Sequence, residues 1–317
     1  MYKMALYITL VLVFLSGTLS LMTREEYEEA KKDVEFEVLE YEKVVEIFKD
    51  MKPSDPDLRR KNFLEDEMYL LSKYKEQREN DNFLALQTKL ALPKEFDWTK
   101  IKPECFTPVL NQSNCGSCYI FSTVSVLEER ICIHSGGKVV VHLSQQDVLS
   151  CDTNHDKCNG GSLGNTWEYL ENVGTCSYSC KPYISYNGSV PKCSNSCVNP
   201  TMNLHRWKAV KDSVKVIYRS NEELKNEIYL NGPVSSHMET WEDLSIFKGG
   251  IYIHSKGIKT DPHAVNIVGW GFSDIYRQEY WIVRNSWGSD WGDKGYFKVL
   301  FNKYSLGQVA VASLPQI

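Results

Sequence analysis

Hydrophobic and polar positions follow different rhythms in successive parts of the chain. After Lys3, residues Met4 to Leu15 form one apolar run, and the small residues Ser16, Gly17, Thr18 and Ser20 follow it. A membrane-crossing helix needs about 20 apolar residues, so the run predicts a secretory signal peptide over residues 1–20 rather than an anchor. From Thr23 to Asn82, Glu, Lys, Asp and Arg dominate and glycine is absent. There Val34, Phe36, Leu39, Val44, Val45, Ile47 and Phe48 recur near helical spacing. Met51-Lys-Pro-Ser-Asp-Pro-Asp57 breaks the pattern, and a second helix is expected around Arg60 to Glu79.

Beyond Leu92 the rhythm is first helical and then that of strands. Ile120, Phe121, Val124, Leu127 and Ile131 mark the buried face of a helix from Cys118 to Ile133, and further helices are expected over 143–150 and 163–173. After Pro200, residues 209–217, 250–254, 263–270, 280–285 and 295–300 are β-branched and aromatic runs bounded by Gly, Pro and Asp, interrupted by a helix over 221–230. A helical half followed by an antiparallel β half is an α+β design, with room for an active site between the halves.

Composition and charge narrow this picture. The 317 residues carry a net charge of −5 and no basic run longer than a pair or two. Neither nucleic acid nor an anionic membrane surface is therefore an expected partner, nor is membrane insertion once the signal is removed. All ten cysteines lie between Cys105 and Cys197. In an oxidising compartment they are expected to pair, although Cys115/Cys118 and Cys176/Cys180 also have spacings that zinc ligands use. The charged, cysteine-free segment reads as a removable prosegment over 21–91, the competing reading being an arm that binds a partner protein. Residues 92–317 then form the body, large enough for a core of its own, as one domain or two packed lobes.

Candidate chemistry centres on Cys118. At a helix N-terminus the unpaired N–H groups and the macrodipole favour a thiolate, and Gly116 and Ser117 are small enough to leave the sulfur reachable. Taken alone, Cys118 can equally be half of a bridge or of a Cys115-Gly-Ser-Cys118 redox pair. A thiolate nucleophile further needs a proton partner, an orienter and oxyanion donors. His263 at the head of one strand and Asn285 at the end of the next can meet on adjacent antiparallel strands, and Gln112 lies in the loop before the helix.

The runs Asn111-Gln-Ser-Asn-Cys-Gly-Ser-Cys-Tyr119, Cys158-Asn-Gly-Gly161, Asp261-Pro-His-Ala-Val265 and Asn285-Ser-Trp-Gly-Ser-Asp-Trp-Gly292 together resemble the papain family of cysteine proteases. The resemblance covers the body from Leu92. It implies a two-lobed papain-like fold, with a helical, disulfide-rich lobe over about 105–200, a β-barrel-like lobe over about 201–310 and the active site in the cleft between them. It makes Cys118 the nucleophile, His263 the proton carrier, Asn285 its orienter, and Gln112 with the Cys118 N–H the oxyanion donors. It places Gly160 and Gly161 beside the substrate backbone, Ser162, Leu163, His237, Ala264 and Gly307 around the second residue before the cut bond, and Trp287 over the His263–Asn285 bond. Trp291 is grouped with these substrate-binding residues. It also implies bridges Cys105–Cys132, Cys115–Cys158, Cys151–Cys193 and Cys180–Cys197, leaving Cys176 over, and it implies no metal or cofactor.

Within the family, details such as Pro191-Lys-Cys-Ser-Asn-Ser-Cys197 and Asn231-Gly-Pro-Val are similar to cathepsin B. The departure is that only Ile184 to Val190, without a histidine, stand where cathepsin B has a long insertion with a histidine pair. That favours a cysteine endopeptidase over an exopeptidase of cathepsin B or C type; a catalytically silent binding or redox module is the further alternative. The expected partners are peptide and protein substrates, the chain's own prosegment as inhibitor, and cystatin-like inhibitors, on a monomer. A lysosome- or vacuole-like compartment, or the extracellular space, is the expected destination. Of two glycosylation sequons, Asn111 lies beside the oxyanion loop and Asn187 is the expected acceptor.

Overall fold

The computed structural model describes residues 23–32, 34–48, 56–80 and 91–317. The expected signal peptide, the break at 51–55 and residues 81–90 lie outside them. The N-terminal segment folds as α1 (Arg24–Lys31), β1 (Glu37–Val38), α2 (Tyr41–Phe48) and α3 (Pro56–Asn80). Thr23 and Glu26 close a capping box at the start of α1. The stretch from Val34 does not form the expected helix. Leu39 instead donates its N–H to Ile246 O at 2.7 Å, and Phe36 packs between Phe247 and Tyr252, which holds this part extended.

The body opens with β2 (Phe96–Asp97) and α4 (Trp98–Ile101) and then builds its helical half from α5 (Cys118–His134), α6 (Gln145–Cys151) and α7 (Leu163–Asn172). Helix α5 is buried from Tyr119 to Cys132 apart from Ser125, although Glu128, Glu129 and Arg130 lie within it. Buried charges need partners. Glu128 accepts from Thr107 Oγ1 and Leu143 N, Glu129 pairs with Arg284 at 2.9 Å, and Arg130 pairs with Glu227 at 3.0 Å. The helix is thereby tied to both halves. Disulfides join Cys105 to Cys132, Cys115 to Cys158, Cys151 to Cys193 and Cys180 to Cys197, while Cys118 and Cys176 remain thiols. Burial pushes the Cys176 thiol up to about 11.

The second half comprises β3 (Lys215–Tyr218), α8 (Asn221–Asn231), β4 (Val234–Met238), β5 (Phe247–Gly249), β6 (His263–Ser273), β7 (Gln278–Arg284), β8 (Tyr296–Leu300) and β9 (Val309–Ala312). Seven strands pair antiparallel in the order β3-β9-β4-β6-β7-β8, with β2 added to β6. Two expectations fail here. Of residues 209–217 only the last three are in a strand, because a turn holding Asp212 at φ 58° precedes it. Residues 250–254 contribute a single bridge, Tyr252 to Val299, and the strand lies just before them at Phe247–Gly249, where it pairs with β1. Strands β4 and β9 were not among the expected strands; Ser235, Ser236 and His237 are buried in β4 without being apolar, whereas β9 is a short apolar run, Val309-Ala-Val-Ala312.

Candidate active site

The first turn of α5 departs from five other helix starts among the described residues. Thr23, Asp97, Ser144, Ser162 and Ser220 cap their helices through side-chain oxygens, whereas Ser117 makes no such bond. Its hydroxyl lies 3.3 Å from Tyr183 Oη and 3.4 Å from Cys115 O. The N–H groups around half-buried Cys118 are thus left to serve an anion. Gly116 is required before it, since a Cβ there would stand 2.5 Å from Cys158 O.

One turn further along α5, Ser122 donates to Val265 O at 3.0 Å and to Asn266 Oδ1 at 2.6 Å. Val265 lies two residues beyond His263, so this contact sets Cys118 and His263 on the same margin of the interface between the halves. His263 Nε2 lies 2.7 Å from Asn285 Oδ1, which also accepts the Ser286 N–H at 2.8 Å. An amide oxygen can only accept, so Nε2 carries the hydrogen and Nδ1 is the free nitrogen. Trp287 stacks on the ring at 5.0 Å. Gln112 is fixed on every side: its N–H donates to Ser286 O, its Nε2 to Cys115 O at 2.9 Å, its Oε1 accepts from Ser286 Oγ, and its carbonyl accepts from Tyr183 Oη.

The N-terminal segment lies across this site. Phe48 meets Trp287 edge-on at 5.5 Å, and Arg59 pairs with Asp261 at 3.3 Å while standing against Gly116 and Gly160. Burial first, and the Arg59 charge besides, push the His263 imidazole down to about 4 against the lift given by Asn285. Asn62 donates to Asp156 Oδ2, Phe63 packs on His237 at 4.9 Å, and the Asp66 carboxylate enters between Ser162, Leu163 and His237. None of Arg59, Asn62, Phe63 and Asp66 was singled out from the sequence as a site residue.

Other expected site residues fall in varied places. Ala264 pairs with His237 across β6 and β4, and a Cβ on Gly161 would strike the Tyr119 ring and His155, so the glycine seats that loop on Tyr119. Trp291 is not a cleft residue. It is fully buried, donates to Leu244 O and packs against Trp287, Phe247 and Phe297, supporting the aromatic lid from below. Gly307 has room for no side chain of its own. At φ 75° a side chain there would point at Leu224 and Trp281 in the core. Asn187 is exposed, whereas Asn111 is half-buried and bridged to Trp287. Among the described residues no group of three or more His, Cys, Asp or Glu is arranged to hold a metal ion, and no helix is long and apolar enough to cross a membrane.

A thiol at an uncapped helix start, set beside a strand-borne His–Asn pair under an indole, defines a cysteine peptidase scaffold. The chain belongs to the papain family: the family model described as "Papain family cysteine protease" matches residues 92–315. It is 34% identical to cathepsin B-like CP2 of Giardia intestinalis over 224 residues, 70% of this chain and 74% of that protein. It is 32% identical to cathepsin B-like cysteine proteinase 4 of Caenorhabditis elegans over 258 residues, covering 71% and 76%. Among solved structures, procathepsin B S9 from Trypanosoma congolense superposes with a TM-score of 0.67 at 30% identity, covering 73% of this chain and 80% of that one.

Proposed function

We propose that the chain is a cysteine endopeptidase made as a zymogen. Cys118 attacks the peptide carbonyl as a thiolate, and His263 delivers a proton from Nδ1 to the leaving amine. Water then hydrolyses the acyl-enzyme. Asn285 fixes the imidazole through its 2.7 Å bond, and the second Nε2 hydrogen of Gln112, with the Cys118 N–H, stabilises the oxyanion. The observation that carries this reading is the pairing state of the cysteines: eight are bridged, Cys176 is sealed in the core, and Cys118 alone combines a free thiol with partial exposure. Alkylation by iodoacetamide or an epoxide at acidic pH should label Cys118 far faster than free cysteine, and Cys118→Ala should abolish hydrolysis. Hydrolysis by Cys118→Ala at the wild-type rate refutes the reading.

Endopeptidase rather than exopeptidase action is supported by the short Ile184–Val190 connection beside the cleft, which has no histidine to hold a terminal carboxylate. Mapping cut positions in a peptide library tests this, since cuts confined to two residues from an end contradict it. Residues 21–91 act as the inhibitory prosegment, supported by the Phe48, Arg59 and Asp66 contacts, with maturation between Leu86 and Leu92. Passage through the secretory pathway to a lysosome-like compartment or the exterior fits the bridged cysteines.

A further inference from the structure

Asp66 is nearly inaccessible at 1% exposure, yet it belongs to the segment that the proposed maturation removes. Its Oδ2 lies 2.8 Å from Leu163 N and 2.7 Å from His237 Nε2; its Oδ1 accepts from Ser162 Oγ and from Gly164 N at 3.2 Å. The donors come from different parts of the body. Ser162, Leu163 and Gly164 open the ten-residue helix α7, whose N-terminus favours an anion, and His237 sits at 6% exposure on β4 opposite Ala264. A carboxylate only accepts, so the Nε2 facing it carries a hydrogen.

When the segment leaves, the four donors that Asp66 joins are left converging on one place without that acceptor. A substrate side chain that brings an acceptor to this place regains the hydrogen bonds Asp66 makes in the proform, and one that excludes water there without an acceptor forfeits them. The papain-family resemblance puts the pocket for the second residue before the cut bond here; we propose that in the mature enzyme this pocket selects an acidic side chain, which takes the seat Asp66 holds in the proform. The inference rests on the peptidase reading above and adds to it the substrate class. His237 and Ser162 are its specificity-determining side chains.

The test compares peptides that differ only at that second residue, carrying Asp, Glu, Asn, Leu or Arg, as substrates of the mature enzyme. The Asp or Glu peptide should exceed the Asn peptide in kcat/KM by about tenfold or more, since a charge-assisted set of hydrogen bonds is lost with the isostere. In His237→Leu the Asp-to-Leu ratio should fall by about tenfold or more, and His237→Gln, which keeps an N–H donor, should fall between. Asn or Leu cut as fast as Asp and Glu by the wild type overturns the proposal whatever the variants do, and so does an Asp-to-Leu ratio unmoved in His237→Leu. If no peptide is cut and Cys118 resists alkylation, the peptidase reading itself fails and takes this one with it. Rapid cutting of Leu or Arg peptides alone sinks only the acidic preference.

Discussion

At His263 two neighbours pull the proton in opposite directions. Asn285 favours the imidazolium through its oxygen, while burial and the Arg59 guanidinium oppose it, and the net result lies near 4 against an ordinary 6.5. A base whose folded value is depressed contributes its full stability above its unfolded value and loses it as the pH falls. The covered state should therefore weaken between about pH 6.5 and pH 4, by up to about 1.4 kcal/mol per unit. Imidazole NMR titration of uncleaved Cys118→Ala protein should find His263 neutral at pH 5.5, and Arg59→Gln should raise its midpoint. Removing the orienter acts on the same ring. Asn285→Ala should lower kcat/KM by about a hundredfold, and the alkylation rate of Cys118 at acidic pH should fall with it.

At the scale of elements, α3 partly inverts the usual rule of faces, for although Leu70 is fully buried other apolar residues are not. Leu64 and Met68 are 50% and 64% exposed, whereas Asp66 between them is buried. That inversion is why the cleft-covering contacts were not legible: an apolar pattern orients a helix toward a hydrophobic core, and this helix is oriented by a carboxylate. Cys118, His263 and Asn285 could be read because each lies within a local run whose residues shape its own turn. Strand β4 could not, because its buried Ser235, Ser236 and His237 satisfy neighbours rather than an apolar stripe. Gln77 shows the same logic at the other end of α3, donating to Val214 O and accepting from Val216 N along edge strand β3. If Asp66 is the anchor described, Asp66→Ala in the uncleaved chain should speed alkylation of Cys118 by about tenfold or more, with four hydrogen bonds lost together. Unchanged labelling would leave Arg59 as the dominant contact.

Over the whole molecule, bridges and charges divide the task of holding the halves. All four disulfides lie within residues 105–197, and none reaches the β half. Besides the Ser122 and Gln112 hydrogen bonds, buried charges on α5 tie the halves together. Arg130 donates to Glu227, Pro233 O, Gly232 O and Ser313 O, and Arg284 reaches back to Glu129. Despite burial, Arg130 and Lys215 hold the Glu227 carboxyl at about 2. Truncation as Arg130→Ala would leave that carboxylate with Lys215 alone and three backbone carbonyls without their donor, and should cost about 3 kcal/mol in urea unfolding. A charge-neutral pair, Arg130→Met with Glu227→Leu, should recover most of the loss.

The N-terminal segment grips the body at two separate places. Tyr27 donates to Leu39 O beneath the β1–β5 pairing at one, and Arg59 to Leu70 seat on the cleft and α7 at the other. Such a segment behaves as a divalent ligand whose second grip is made intramolecular by the first. Its hold then exceeds that of either grip by the effective concentration the connection provides, on the order of 10²- to 10⁴-fold. A single cut between residues 48 and 59 would detach the first grip, while the second stays joined to the body by the chain until a cut near Leu92. Such a cut should therefore weaken inhibition only in part, and full release should wait for the cut near Leu92.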